Sequence, residues 1–190
     1  SYDEHFPELA ADLIDPPQLA GERFLQRVMY LGRLVNSQVH FHPTGSAMLF
    51  CLHGAKIVRL YAPDQTDRMY KVARRNFTEV QVSSLGENTY EYDTDRFPRF
   101  ADAEYLEVEV RAGDVLFIPI YWWHSIQNLG DVSLTAVYFW TQTWRDGWRL
   151  LAPKQPPPPG MRADYARDLL SRARHHPRDF ARTLLGRGRA

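Results

Sequence analysis

The chain has 190 residues, of which 44% are hydrophobic and 24% are charged, and these values are ordinary for one globular domain. Lys+Arg and Asp+Glu both number 23, so no overall charge favours nucleic acid or an acidic membrane surface. No apolar run approaches the ~18 residues of a membrane span, and the single Cys51 excludes an internal disulfide, so we expect a soluble, cytoplasmic protein.

The N-terminal part, residues 3–31, predicts short helical turns that pack on the outside of a sheet. Its apolar residues are interspersed with Asp, Glu and Pro, and the turns are expected to break at Pro16 and Pro17. These apolar residues are Phe6, Leu9, Leu13, Leu19, Phe24, Leu25 and Val28.

From about Tyr30 the pattern changes to strands, which makes the predicted fold mainly β. Gly54 lies between two apolar runs, as in a hairpin, and further turns are predicted at Arg111–Asp114 and Asn128–Asp131. The polar, irregular residues 62–104 are expected to form a loop that covers a substrate. The strand segments are MYLGRLV, SQVHFH, AMLFCLHGAKIVRLY, EYLEVEVRAGDVLFIPI and VSLTAVYFW.

The sheet domain is expected to occupy residues 1–152 and to end at a Pro-rich spacer, residues 153–160. In residues 161–190, apolar residues at helical spacing predict a C-terminal helical extension that packs on the sheet or mediates a homodimer. This extension carries eight Arg against three Asp, so a contact with an acidic partner is the alternative.

Three histidines predict a metal site for an iron-like divalent ion. His40 and His42 are separated by one residue in an alternating run, so both imidazoles project from one face of a strand. His124 ends the segment GDVLFIPIYWWH, whose Pro and aromatic residues would form the walls of a dry pocket. His5, His175 and His176 have the character of surface or packing residues, and we expect no catalytic residues beyond the three ligands.

Several of these segments together resemble the JmjC/cupin-like hydroxylases, such as the asparaginyl hydroxylase that acts on hypoxia-inducible factor. The resemblance rests on GDVLFIPIYWWH at 113–124, VSLTAVYFW at 132–140, HFHPTGSAMLFCLHGAK at 40–56 and DRFPRF at 95–100. It implies a double-stranded β-helix (cupin or jelly-roll) and an oxygenase that uses Fe(II) and 2-oxoglutarate to activate O2.

The resemblance also implies roles for individual residues. His40 matches the first iron ligand and His124 the last, while Lys56 matches the lysine that pairs with the distal carboxylate of 2-oxoglutarate. Ser37 is at the position of a co-substrate-binding hydroxyl, and Trp140 matches an aromatic residue of the pocket wall. Without the resemblance, a lysine just after a turn Gly is typical of a solvated residue.

The sequence also departs from the family. His42 occupies the position of an acidic ligand, and neutral imidazole in place of a carboxylate removes one negative charge from the metal, which disfavours its higher oxidation states. Ala47 and Tyr138 are at positions where the asparaginyl hydroxylase has amides.

Three functions are therefore compatible with the sequence. The first is an Fe(II)- and 2-oxoglutarate-dependent oxygenase that acts on a protein side chain or a small metabolite. The second is a three-His cupin dioxygenase in which the substrate itself chelates the iron. The third is a non-catalytic metal-binding or interaction module.

Overall fold

The computed structural model describes residues 5–12, 17, 24–43, 45–72, 80–86, 88–141, 163, 170 and 174. The Pro-rich spacer predicted at 153–160 and nearly all of the extension at 161–190 lie outside the described residues, so the C-terminal helices and the dimer stay predictions. Among the described residues, no helix has the length and apolarity to cross a membrane. The elements with described bounds are α1 (Pro7–Asp12), β1 (Phe24–Gly32), β2 (His40–Phe41), β3 (Gly45–Tyr61), the 3-10 turn η1 (Pro63–Arg68), β4 (Gln81–Val82), the 3-10 turn η2 (Pro98–Asp102), β5 (Leu106–Arg111), β6 (Val115–Ile118) and β7 (Trp123–Thr141).

The described fold is mainly β, as predicted, but the flanking helices are not supported. Helix α1 spans only six residues. Phe24, Leu25 and Val28, which we expected in helical turns, belong to β1, which runs antiparallel to β7 from Phe24 opposite Trp140 to Gly32 opposite Ser133. The prediction was wrong here because pairing with a neighbouring strand overrides weak local periodicity in a short apolar segment.

The two longest strands, β3 and β7, form the centre of an antiparallel sheet. The strand order is β4-β2-β7-β3-β5, with β1 also paired to β7 and β6 also paired to β3. The first half of β3 pairs with β6 and its second half with β5, and the turn between β5 and β6 contains Gly113 at a φ of 95°. The turn predicted at Arg111–Asp114 is therefore confirmed.

The other two predicted turns are bulges inside long strands. Gly54 lies within β3, and the Asn128–Asp131 segment lies within β7. The pairing of the two strands changes register here: Ala55 is opposite Leu129, but His53, two residues earlier in β3, is opposite Leu134, five residues later in β7. Gly54 has a φ of 77°, and an added Cβ would lie 2.4 Å from the carbonyl oxygen of Val132. The hairpin prediction was wrong because a tight turn and a bulge require the same residue types, and only strand pairing distinguishes them.

The described parts of residues 62–104 do not cover the predicted site, which corrects that expectation. Phe41 and Trp123 are fully buried beneath this segment, and the indole nitrogen of Trp123 donates to Thr66 Oγ1 at 2.9 Å. Because Phe41 and Trp123 alternate with the histidines, the segment packs on the face of β2 and β7 opposite the imidazoles. The buried apolar cluster that it completes contains Val39, Phe41, Tyr61, Met69, Leu85, Phe97, Phe100, Ala103, Ile120, Tyr121 and Trp123.

The bulge gives the first prediction. Gly54→Ala should lower the free energy of unfolding by roughly 3 kcal/mol or more. The added Cβ would clash with the backbone of Val132, and alanine is also disfavoured at a positive φ. Gly130→Ala is the matched control, because Gly130 has a φ of 74° but open space around its Cβ position. It should cost only about 1 to 2 kcal/mol. Chemical denaturation measures both, and equal losses would contradict the close approach of the two strands.

Candidate metal centre and its cavity

The three histidines predicted as ligands lie together at one end of the sheet. His40 in β2 is the direct cross-strand partner of His124 in β7, and His42 directly follows β2. One ring nitrogen from each histidine forms a group whose members all lie within 4.8 Å of one another. The ring centroids are 4.2 Å apart for His40 and His124, 5.0 Å for His40 and His42, and 5.2 Å for His42 and His124. This arrangement is close enough for three imidazoles to share one ion.

Backbone hydrogen bonds orient two of the rings. The Nδ1 atom of His40 lies 2.6 Å from the carbonyl oxygen of Gln38, and Nδ1 of His124 lies 3.0 Å from that of Trp122. Because a carbonyl oxygen only accepts, Nδ1 must carry the proton in both rings. The lone pair is therefore on Nε2, which is the usual state of a metal-ligating histidine.

Burial keeps all three imidazoles neutral. Desolvation is the main cause that lowers the pKa of His40, lowers the pKa of His42 to about 3 and lowers the pKa of His124 well below 6.5. Repulsion between the rings lowers the pKa of His42 and His124 further, because a proton on one ring disfavours a proton on the next. At neutral pH the three imidazoles are therefore uncharged, and each can offer the lone pair of one ring nitrogen to a shared ion.

The imidazoles line one part of a cavity of about 210 Å³. Its surface is mainly apolar, and among the described lining residues there is no Asp or Glu. Tyr30, Leu31 and Val35 line it and are also exposed, so they form its mouth. The lining residues within the described part of the chain are Tyr30, Leu31, Gly32, Val35, Ser37, His40, His42, Ala47, Leu49, Lys56, Ile118, His124, Ile126, Asn128, Thr135, Val137 and Phe139.

Lys56 lines the same cavity and is not a solvated turn residue. Its side chain is 5% exposed, and Nζ donates to Asn128 Oδ1 at 2.5 Å and to Ser133 Oγ at 3.0 Å. Desolvation lowers its pKa, and no carboxylate among the described residues is paired with it. A buried ammonium without a counter-charge makes this part of the cavity attractive to an anion.

The model of the family described as the cupin-like domain matches residues 1–146, which is most of the chain. The chain belongs to the cupin-like domain family. The resemblance to the JmjC/cupin-like group is thus confirmed at the level of the family.

Curated relatives of this cupin-like domain include three proteins that are much longer than the chain. Lysine-specific demethylase 8 of Xenopus tropicalis is 35% identical over 91 residues, which are 46% of this chain and 19% of that protein. HSPB1-associated protein 1 of Homo sapiens is 28% identical over 127 residues, 66% of this chain and 25% of that protein. The tRNA wybutosine-synthesizing protein 4 of Neurospora crassa is 27% identical over 146 residues, 72% of this chain and 11% of that protein. The chain spans a quarter or less of the length of each of these relatives.

Of the other site residues taken from the resemblance, Ser37 lines the cavity and Trp140 does not. Ser37 Oγ accepts a hydrogen bond from the backbone N–H of Ile126 at 2.8 Å, so its own proton is available to a second acceptor. Trp140 stacks on Phe117, with ring centroids 5.9 Å apart, and belongs to the buried cluster on the other face of β7 with Tyr138. Ala47 lines the cavity.

The bulge in β7 explains the position of Trp140. Before the bulge, the cavity-lining residues of β7 are the even-numbered His124, Ile126 and Asn128. After it they are the odd-numbered Thr135, Val137 and Phe139. An extra residue in a strand reverses the alternation of faces. Trp140 therefore faces away from the cavity, although it is an even number of positions from His124.

Three of the lining residues that the sequence did not assign to the site are polar or lie next to the histidines. Asn128 was assigned to a turn, and Thr135 and Phe139 were treated only as strand residues. The ring of Phe139 lies 4.8 Å from that of His42, between centroids, and so forms part of the wall beside the ligands. Their positions follow from the pairing of β3 with β7, in which Asn128 is opposite Lys56, Thr135 is opposite Cys51 and Phe139 is opposite Ala47.

The buried imidazoles make the fold sensitive to acid, which gives the second prediction. In the unfolded chain the histidines bind protons as the pH falls through about 6.5, whereas burial keeps them neutral in the folded protein. The unfolded state then binds more protons than the folded state, so the free energy of unfolding decreases as the pH falls below 6.5. For His42 this decrease continues until the pH reaches about 3, which is the pKa of this histidine in the folded protein. The free energy of unfolding of the metal-free protein should drop by on the order of 1 kcal/mol per buried histidine between pH 6.5 and 5.5.

Urea denaturation at several pH values, with a chelator present, measures this drop. His42→Asn should reduce the drop in the free energy of unfolding by the contribution of one histidine. His53→Asn is the control, because His53 is exposed and does not line the cavity, and it should leave the drop unchanged. A pH dependence of His42→Asn as steep as that of the unchanged protein would contradict the burial of a neutral ring at this position.

Proposed function

We propose that this cupin-like domain is an Fe(II)- and 2-oxoglutarate-dependent oxygenase. The observation that carries the proposal is that three neutral imidazoles line the same small cavity as a buried ammonium, which has no carboxylate partner among the described residues. The likeness to lysine-specific demethylase 8 and the resemblance of the sequence to JmjC/cupin-like hydroxylases support the same class of reaction.

The donor set fits iron. His40, His42 and His124 would hold the ion through nitrogen atoms, and imidazole is a suitable ligand for Fe(II). Three protein ligands leave coordination positions for a chelating co-substrate and O2. Bound iron would supply the activation of O2, with 2-oxoglutarate oxidised to succinate and CO2 as one oxygen atom enters the substrate. The apolar lining around the imidazoles would exclude water from this chemistry.

The co-substrate would lie between the imidazoles and Lys56. An ammonium has three N–H donors, and the bonds to Asn128 and Ser133 use two of them, so the third is available to a carboxylate of 2-oxoglutarate. Ser37 would donate its hydroxyl proton to the same molecule. Since no Asp or Glu is among the described lining residues, the bound dianion would offset most of the positive charge of the iron and of Lys56.

The substrate would enter past the exposed apolar side chains of Tyr30, Leu31 and Val35 at the mouth of the cavity. A protein side chain and a small metabolite both remain candidates. One observation favours a second function: the third ligand is an imidazole, as in a three-His cupin dioxygenase whose substrate chelates the iron without 2-oxoglutarate. In that case Lys56 would bind a carboxylate of the substrate.

The third prediction tests the proposal by anaerobic titration of iron-loaded protein with 2-oxoglutarate. The weak visible charge-transfer band of the chelate should appear, and Lys56→Met should weaken 2-oxoglutarate binding by about 10- to 100-fold through loss of a charge-assisted hydrogen bond. Lys71→Met is the matched control, because Lys71 does not line the cavity, and it should leave the affinity unchanged. Iron binding without the band would favour the three-His dioxygenase, and failure to bind iron would leave a non-catalytic module.

The fourth prediction concerns the ligand that departs from the family. His42→Asp places a carboxylate among the ligands, and its negative charge stabilises more highly charged states of a bound metal. Turnover of 2-oxoglutarate in the absence of substrate, followed as succinate formation, should rise severalfold over that of the unchanged protein. His42→Asn, which adds no charge, is the control and should not raise it. If His42→Asp leaves succinate formation unchanged, the charge of this ligand does not limit the reaction.

A further inference from the structure

The turn between β6 and β7 contains a tyrosine in an unusual backbone conformation. Tyr121 has a φ of 69°, a left-handed value that residues with a side chain rarely adopt, and it is the most buried of the three described non-glycine residues with a positive φ. The backbone N–H of Trp122 donates to the carbonyl oxygen of Pro119 at 3.3 Å, so residues 119–122 form a turn with Tyr121 at its third position. Glycine or asparagine normally occupies that position when the turn requires a positive φ. A strained conformation of this kind is typical of functional sites.

The 119–122 turn is bonded to two of the three histidines. The backbone N–H of Tyr121 donates to the carbonyl oxygen of His42 at 3.3 Å. The carbonyl oxygen of the next residue, Trp122, lies 3.0 Å from Nδ1 of His124 and accepts its proton. Because His42 follows the last residue of β2, the bond from Tyr121 holds it where the ladder of that strand has ended. One turn therefore contacts the backbone of one histidine and the ring of another.

A buried ring and a bond to β3 hold the turn in place. The side chain of Tyr121 is 2% exposed and belongs to the buried cluster on the face opposite the imidazoles, with its ring centroid 6.3 Å from that of Phe41. The backbone N–H of Ile120 donates to Oγ of Ser46 at 3.1 Å, and Ser46 is itself 3% exposed. A left-handed tyrosine persists only where its surroundings fix it, and these two contacts do so.

The ring gives the turn a rigidity that glycine would not provide. Glycine adopts positive and negative values of φ about equally, so a glycine at position 121 would let the N–H of this residue and the carbonyl of Trp122 change direction. Burial of the tyrosine ring keeps both groups directed at the histidines. Small displacements matter here, because metal ligands must lie within a few tenths of an ångström of their bonding distances.

We propose that the 119–122 turn is the positioning element of the metal centre, and that the buried, left-handed Tyr121 fixes the orientation of His42 relative to His124. Tyr121 is a positioning residue, since it acts through His42 and Trp122 and not on the metal. The use of this arrangement for iron rests on the proposed function, whereas the orientation of the two histidines is a property of the protein without metal.

The fifth prediction compares Tyr121→Gly with Tyr121→Phe. Tyr121→Gly relieves the backbone strain but removes the ring, so the turn should no longer hold the histidines. Binding of Co(II) to the metal-free protein should then weaken by about 10- to 100-fold, as for other partners of metal ligands. Tyr121→Phe keeps the ring and should keep most of the affinity. Calorimetry measures both affinities, and the visible spectrum of bound Co(II), which reports the coordination geometry, should change for the glycine variant alone.

Tyr70→Gly is the matched control. Tyr70 is also a tyrosine with a positive φ, 47°, and its ring packs on Phe97 with centroids 5.1 Å apart. Among the described residues, its hydrogen bonds are to Ser84 and Arg99 and not to a histidine. Both glycine variants should lower the midpoint of thermal unfolding, since each loses a packed ring. Only Tyr121→Gly should lose affinity for Co(II), and equal losses of affinity would contradict a specific role of the turn.

Ser46→Ala tests the turn in a variant that keeps every buried ring. It removes the acceptor of the Ile120 N–H, so the turn should loosen and the Kd for Co(II) should rise severalfold. Ser83→Ala is the control for this variant. Ser83 is fully buried and its Oγ also accepts one backbone N–H, that of Leu85 at 3.0 Å, outside the turn. This control should leave the Kd unchanged.

Nitrogen NMR of the imidazoles makes the test independent of metal. In the metal-free protein Nδ1 of His124 should carry the proton, and Tyr121→Gly should convert this single tautomer into a mixture, whereas Tyr70→Gly should not. That result in a protein that binds no Co(II) would overturn the proposed function and support the positioning role. If Tyr121→Gly changes neither the affinity for Co(II) nor the tautomer of His124, the role of the turn is overturned and the proposed oxygenase is unaffected.

Discussion

Gly54 of β3 meets the backbone of Val132 and Ser133 of β7 at the centre of the longest strand pair, and the site depends on this close approach. The bulge there reverses the alternation of faces in both strands. As a result, Lys56 and Asn128 on one side of the bulge face the same cavity as Leu49 and Val137 on the other side. Without the reversal, side chains from the two halves of each strand would project to opposite faces of the sheet.

The cavity combines low polarity with positive charge. The apolar lining desolvates the three histidines and so holds them in the neutral form that a metal requires. Within the part of the chain that the structure describes, Lys56 is a cation whose hydrogen-bond partners, Asn128 and Ser133, are both neutral. A site of this kind gains most by binding anions, because a bound anion removes the cost of an uncompensated buried charge.

The opposite face of the same strands holds the backbone of the three histidines in place. Phe41 lies between His40 and His42 in sequence, and its ring packs against Trp123, the residue before His124, with centroids 4.6 Å apart. Both rings are fully buried under the described parts of residues 62–104. The segment that we expected to cover a substrate therefore contributes by fixing the backbone that carries the imidazoles, and the mouth of the cavity is formed by β1 and the residues that follow it.

The sequence alone determined the β class of the fold, the turn at Arg111–Asp114 and the convergence of His40, His42 and His124. These features follow from local rules: residues i and i+2 of a strand share a face, and a turn has a typical composition. The burial of Lys56, the position of Thr135 in the cavity lining and the outward position of Trp140 were decided by the tertiary structure. They depend on where two strands that are distant in sequence change register. The sequence around Gly54 and Gly130 does not show where this happens, because a glycine at a positive φ is typical both of a turn that reverses the chain and of a bulge within a continuing strand.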